Sequence, residues 1–277
     1  MAVSFSLEIF PPKNAKSSLY LWKAINIYEQ LKPKYISVTC HASGTDAGLT
    51  DELVEAMSVR PKATPIAPHM VCYGQTQQAI EQQLQKYVGY GISNLVALRG
   101  DKNPDTEPGE FNYASDLVQF VRDRGYPLQL HVAGYPECHP ESPGHDADFR
   151  QLKKKVDAGA SSIITQFFFD PDVFLAYRDR VKAAGIDIPV IPGILPILDF
   201  ARMVIFAEKC QAGVPDFLFQ MFEDGKLDKS SQQLLAMNVL THQITKLHVN
   251  GIEHFHFYTL NELRLTSQTC RWMQAAL

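Results

Sequence analysis

A (β/α)8 barrel of the TIM type, with extra helices before the eighth strand, is the fold this sequence predicts. Eight apolar, β-branched or aromatic runs recur with starts about 30 residues apart, the length of one βα unit, until a longer interval before the last. Helical patterns separate most of them, and composition does not shift along the chain, so a single domain over residues 1–277 is expected. A doubly wound sheet would call for a phosphate-binding glycine turn after the first strand, and neither GxGxxG nor GxxxxGK[ST] occurs.

The first run, VSFSLEIF (3 to 10), alternates Val3, Phe5, Leu7 and Ile9 with Ser4, Ser6 and Glu8, so one face of the strand is polar. Pro11 and Pro12 cannot donate to a ladder and should stop the strand right after Glu8, leaving the carboxylate at its C-terminal end. The later runs are YISVTCH (35 to 41), PIAPHMVCY (65 to 73), NLVALRGD (94 to 101) and LQLHVAGYP (128 to 136). SIITQFFFD (162 to 170), PVIPGILP (189 to 196) and HFHFYTL (254 to 260) complete the set. Between them Ile80, Leu84 and Tyr87 fall at helix spacing. Phe149, Leu152 and Val156 end at Gly159, and Leu234, Met237, Leu240, Ile244 and Leu247 end at Gly251. The interval 198–251 is long enough for more than one helix, Pro215 opening a short extra one.

The chain has 277 residues, 45% of them hydrophobic and 20% charged, which favours a large core over disorder. A net charge of −4 without a basic block argues against nucleic acid as a partner. Five dispersed cysteines without CxxC suit reduced thiols rather than a disulfide framework. No run approaches the roughly 18 apolar residues of a membrane span, and the N-terminus lacks a signal-peptide pattern, so a cytoplasmic protein without a membrane partner is expected.

Barrel active sites lie at the C-terminal ends of the strands, which puts Glu8 among them. Its expected neighbours are Thr39, Cys40 and His41 on the second strand, His69 on the third, Arg99 and Asp101 on the fourth, Tyr135 and His139 at the fifth, and Gln166 on the sixth. A carboxylate facing a barrel interior costs several kcal/mol unless paired or protonated. Glu8 is therefore either an ion-pair partner or an acid with a raised pKa. Arg99 and Asp101 flank Gly100 with opposite charges on one face, the pattern of a pair closing a barrel layer. The sixth strand has no Schiff-base lysine and the first no HxH pair, which removes two familiar barrel chemistries. The HxH of His254 and His256 lies on the last strand, where hydrogen-bonded packing is favoured over a metal site, as it is for His131 mid-strand. Phe167, Phe168 and Phe169 read as packing, and HPESPGHDADF as a solvated loop capping a helix that starts near Asp148.

Beyond this the motifs SLEIFPPK, ISVTCH, NLVALRGD, NYASDLV, HVAGYPECHPES, LKKKVDAGA, ITQFFFD, IPGILPI and HFHFYTLN resemble, in order and spacing, those of the methylenetetrahydrofolate reductases over essentially the whole chain. The resemblance implies a single catalytic barrel that uses FAD, with NADH (or NADPH) as co-substrate, to reduce 5,10-methylenetetrahydrofolate. It makes Glu8 the general acid and puts Asp101 near flavin and folate. Thr39, His69, Arg99, Gly100, Asp101, Tyr113, Ala114, Tyr135, His139, Asp148 and Lys155 would bind FAD, and Gln166 and Phe206 would meet the substrates. One departure stands out: where the family has arginine in FYTLNR, this chain has Glu262, with Arg264 two residues on and Arg202 as further candidates for the folate's acidic tail. A small-molecule substrate, no metal and a homo-oligomer are expected. A flavin-free reductase and a flavin- or folate-binding protein without turnover are the competing readings.

Overall fold

The computed structural model describes residues 3–40, 47–61, 64–102, 107–222 and 228–277. The first half of the chain runs β1 (Ser4–Ile9), α1 (Ala15–Gln30), β2 (Ile36–Val38), α2 (Ala47–Ser58), β3 (Ile66–Val71), α3 (Gln77–Gly89), β4 (Asn94–Leu98) and α4 (Ala114–Asp123). The second runs β5 (Gln129–Gly134), α5 (His145–Asp157), β6 (Ser162–Phe167), α6 (Pro171–Ala183), β7 (Val190–Ile194), α7 (Phe200–Cys210), α8 (Asp216–Phe222), α9 (Lys229–Val249), β8 (His254–Tyr258) and α10 (Arg264–Ala276). The eight strands are parallel, neighbours in sequence pair side by side, and β1 pairs with β8 to close the barrel. Every expected run became a strand, and α7, α8 and α9 fill the long interval before β8. No helix among the described residues is long and apolar enough to cross a membrane.

Alternation explains the layering. Phe5, Leu7 and Ile9 of β1 and Phe255 and Phe257 of β8 point outward and are buried against the helices. A smaller apolar cluster of Tyr35, Ala67, Val96, Ile164 and Ile191 fills the barrel itself. The three phenylalanines after Gln166 are buried, as their reading as packing requires.

Local chemistry sets the helix ends. Asn14 and Ser17 form a reciprocal capping box on α1, and Asp170 caps α6 ahead of Pro171. Helix α5 starts at His145, three residues before the expected Asp148, because Gly144, at φ 150°, makes the turn into it. Leu234, expected on the core face of α9, is 71% exposed. The buried stripe runs through Ala236, Leu240, Gln243 and Leu247, and Leu234 lies about 200° round the helix from Ala236.

Candidate active site

Glu8 is the last residue but one of β1, which runs one residue past the expected stop to Ile9, and it lies at the C-terminal mouth of the barrel, partly buried, with its side chain on the interior face. Its Oε2 lies 3.4 Å from His69 Nε2 of β3 and 3.5 Å from His256 Nε2 of β8, and both imidazoles are buried. Burial alone pushes the Glu8 carboxyl upward. Hydrogen bonding and charge from His256 and His69 outweigh that and bring it from 4.5 down to about 2. The raised pKa considered from the sequence is therefore not what the structure gives: Glu8 is held as a carboxylate between two imidazoles.

The backbone of Glu8 is fixed by the segment that follows β8. Thr259 Oγ1 donates to Glu8 O at 2.6 Å, and Asn261 clamps Phe10 by accepting from its N–H at 3.0 Å and donating to its carbonyl at 2.8 Å. Leu260 and Asn261 both adopt left-handed backbone, at φ 50° and 56°, to make this clamp. Glu262 then turns to the start of α10, where its carboxylate accepts the backbone N–H groups of Arg264 and Leu265, each at 2.8 Å. These two N–H groups hold the carboxylate at the helix N-terminus. Arg264 is exposed on the first turn of α10, and Arg202, 88% exposed, stands 3.7 Å from Asp199 at the start of α7.

Beside this acid, on the β4–β5 side, lies a cavity of about 420 Å³ lined by ten of the residues singled out from the sequence, Cys40 among them. Arg99, Gly100 and Asp101 come from the end of β4, Tyr113 and Ala114 from the start of α4, Tyr135 and His139 from the end of β5, and Asp148 and Lys155 from α5. Arg99 does not pair with Asp101, which is exposed; its Nη2 meets Glu141 Oε1 at 2.7 Å. The Lys155 ammonium donates to Ala133 O at 2.6 Å and lies 5.9 Å from the centre of the Tyr135 ring. Among the described residues no carboxylate forms an ion pair with it, and burial, opposed in part by Asp148, lowers its pKa from 10.5 to about 8. Burial pushes Asp148 up and His139 down. With Val71, Ala97, Leu98 and Ala133 forming an apolar wall, the cavity suits a flat aromatic body joined to an anionic group near Arg99 and Lys155.

A family model described as methylenetetrahydrofolate reductase matches residues 1–274. The 5,10-methylenetetrahydrofolate reductase of Escherichia coli is 37% identical over 268 residues, which cover 97% of this chain and 90% of that one. The chain belongs to the methylenetetrahydrofolate reductase family. It is accordingly an oxidoreductase. Methylenetetrahydrofolate reductase 2 of Saccharomyces cerevisiae is 34% identical over 270 residues, covering 93% of this chain and 45% of that one. A structure of an uncharacterized protein from Clostridium thermocellum that binds two copies of 5-methyl-5,6,7,8-tetrahydrofolic acid superposes on the whole chain and 96% of its own with a TM-score of 0.69. At 14% identity that likeness speaks for the barrel fold alone.

Seen as a member of this family, the chain divides its expected site residues between two places. His69 faces Glu8 rather than the cavity, and Thr39, Gln166, Phe206, Arg202 and Arg264 lie outside the cavity lining, although Cys40, next to Thr39, is part of it. His41 lies outside the described residues. Gln166 sits where the β6–β7 register slips between Ile164 and Phe167, and Phe206 of α7 stacks on Phe167 with ring centres 5.2 Å apart. His256 and Tyr258 are the neighbours of Glu8 that sequence reasoning missed; alternation puts them on one face of β8 with His254, but the register that sets Tyr258 opposite Glu8 comes only from barrel closure.

Gly193 of β7 makes room for that wall. A Cβ there would run into Thr165 O and the Tyr258 ring, whose hydroxyl donates to the same carbonyl at 2.7 Å. Gly193→Ala is expected to destabilise the chain by about 1–3 kcal/mol, measured by urea denaturation. A midpoint equal to that of the unsubstituted protein would show that β7 shifts at no cost.

Proposed function

We propose that this chain reduces 5,10-methylenetetrahydrofolate to 5-methyltetrahydrofolate, with NADH or NADPH as electron donor and FAD as the carrier, in ping-pong order. The arrangement that carries the reading is a carboxylate flanked by two imidazoles at the mouth of the barrel, beside a cavity that presents the Arg99 and Lys155 cations. Lys155 and Arg99 would hold the diphosphate, with Tyr113, Ala114, Tyr135, His139, Asp148 and Gly100 around it and Thr39 nearby. Bound there, the flavin would supply hydride transfer between nicotinamide and folate.

Opening the five-membered ring of the substrate needs a proton at the leaving N10, and Glu8 is the group to deliver it. The low pKa of Glu8 belongs to the uncovered mouth, and the proton it delivers is one it takes up as the substrate binds. Folate covering the mouth would strip water from Glu8, push its pKa upward and draw that proton onto N10 through Oε2. The carboxylate left behind would stabilise the cationic one-carbon centre. Asp101 would add negative charge near the same centre, Gln166 would hold the folate, and Phe206 would cover it, with Arg202 or Arg264 near its acidic tail.

The test is the visible spectrum of the purified protein, taken before and after anaerobic NADH and again after methylenetetrahydrofolate. A flavin band that bleaches with the first and returns with the second is expected. No flavin band, even after added FAD, would overturn the cofactor assignment and favour direct hydride transfer.

A further inference from the structure

Below Glu8 the barrel interior holds a file of hydroxyls and imidazoles that this mechanism leaves unused. Ser4, Ser6 and Glu8 share one face of β1, and His254 and His256 share the facing side of β8. Ser4 Oγ lies 2.9 Å from His254 Nδ1, His254 Nε2 lies 3.2 Å from Ser6 Oγ, and Ser6 Oγ lies 2.8 Å from His256 Nδ1. His256 Nε2 then lies 3.5 Å from Glu8 Oε2. Ser6 and His256 are fully buried, whereas Ser4 and His254 are partly exposed at the N-terminal end of the barrel.

We propose that Ser4, His254, Ser6 and His256 form a proton inlet that reloads Glu8 from the opposite end of the barrel to the substrates. The inference rests on the reading of Glu8 as the acid. Each turnover takes up one proton, and while folate covers the mouth that end is closed to water.

The donors can all point one way. With both histidines in the Nε2–H form, Ser4 O–H donates to His254 Nδ1, His254 Nε2–H to Ser6, Ser6 O–H to His256 Nδ1 and His256 Nε2–H to Glu8. A proton entering at Ser4 from water moves each of these protons one step, leaves Glu8 as the acid and hydroxide in bulk solvent. Hydroxyl rotation and exchange of the imidazole tautomers restore the file.

The surroundings keep His254 neutral. Burial, with Lys34, His256 and His131 nearby, lowers His254 to about 3, so it passes a proton through the ring instead of storing it. His131, itself lowered to about 4 by burial, is tied to Ser162 at 2.7 Å and Asn94 at 3.2 Å and stands aside from the file. Tyr35 stacks on His131, and its hydroxyl is held protonated by burial, with its pKa raised to about 12. Around Glu8 the remaining titratable groups among the described residues are His69 and Tyr258. The backbone carbonyl of Glu253 accepts from Ser4 Oγ at 3.1 Å, so the hydroxyl turns its one proton from that carbonyl to His254 Nδ1 when the file aligns.

The experiment uses the FAD-loaded enzyme and the variants His254→Gln and His254→Ala. His254→Gln keeps size and hydrogen bonding but cannot pass a proton, so it controls for folding. Both are expected to leave flavin reduction by NADH unchanged and to slow folate reduction by about 10-fold to 10²-fold, less than the loss of the acid itself. Added imidazole should restore His254→Ala. In folate-saturated protein without NADH, exchange of the His256 ring proton with D2O, followed by NMR, should slow in both variants. Wild-type rates and exchange in both, together with slow folate reduction in Glu8→Gln, would overturn the inlet and leave the acid in place. Fast folate reduction in Glu8→Gln would remove the acid and the inlet together.

Discussion

Glu8→Gln is expected to leave the NADH-driven bleaching of the flavin band within about twofold of wild type and to slow its return with methylenetetrahydrofolate by about 10² to 10⁴, the range for losing a general acid. The amide is nearly isosteric and can still meet His69 and His256, which contact Oε2 at 3.4 and 3.5 Å, so the mouth should keep its shape. Stopped-flow spectroscopy of the two half-reactions separates the roles, and equal losses in both would make Glu8 a structural ion-pair partner. The carboxyl also has a pH signature in folding. Its native pKa lies below its ordinary value, so its contribution to stability is present above about 4.5 and is lost as pH falls toward about 2. Glu8→Gln should flatten that acid limb.

Lys155→Met should have effects of opposite sign on stability and on cofactor binding. The ammonium is buried against Ala133 O without an ion-pair partner among the described residues, so replacing it with a methionine of similar length should stabilise the FAD-free chain or leave it unchanged. The same change should weaken FAD by about 10-fold to 10²-fold, the value of a charge-assisted hydrogen bond to phosphate, about 1.5–3 kcal/mol. The native pKa of Lys155 is lowered from 10.5 to about 8. Between those values the unfolded chain binds more protons than the native one, so apo stability should rise with pH across that window. An anion favours the protonated form, so FAD affinity should fall as pH climbs past about 8. In Lys155→Met both slopes should vanish. Calorimetric titration of FAD at several pH values measures the affinity, and a pH-independent affinity in the unsubstituted protein would place the diphosphate elsewhere.

Much of the site was legible along the chain because a parallel barrel turns strand order into spatial order. The residues ending NLVALRGD and LQLHVAGYP could be expected at one mouth, and Arg99 and Tyr135 line one cavity there; Lys155, which lines it too, was expected only from the family resemblance. Other details were out of reach for physical reasons. Arg99 and Asp101 share a face in sequence, yet the ion pair is made with Glu141, 42 residues away, because the loop after β5 folds back across the mouth. Glu262 looked like a misplaced charge until the start of α10 supplied two backbone N–H groups to take it.

What the sequence determined by itself was periodicity and order: eight strands, the faces they bury, and a carboxylate at the end of the first. Only the tertiary structure decided what that carboxylate is. Closing β1 against β8 joins residues about 250 positions apart: it brings His256 and Thr259 to Glu8 and sets His256 against Ser6. A pKa depends on the neighbours within a few ångström, and local alternation cannot say which strand will stand beside which until the barrel shuts.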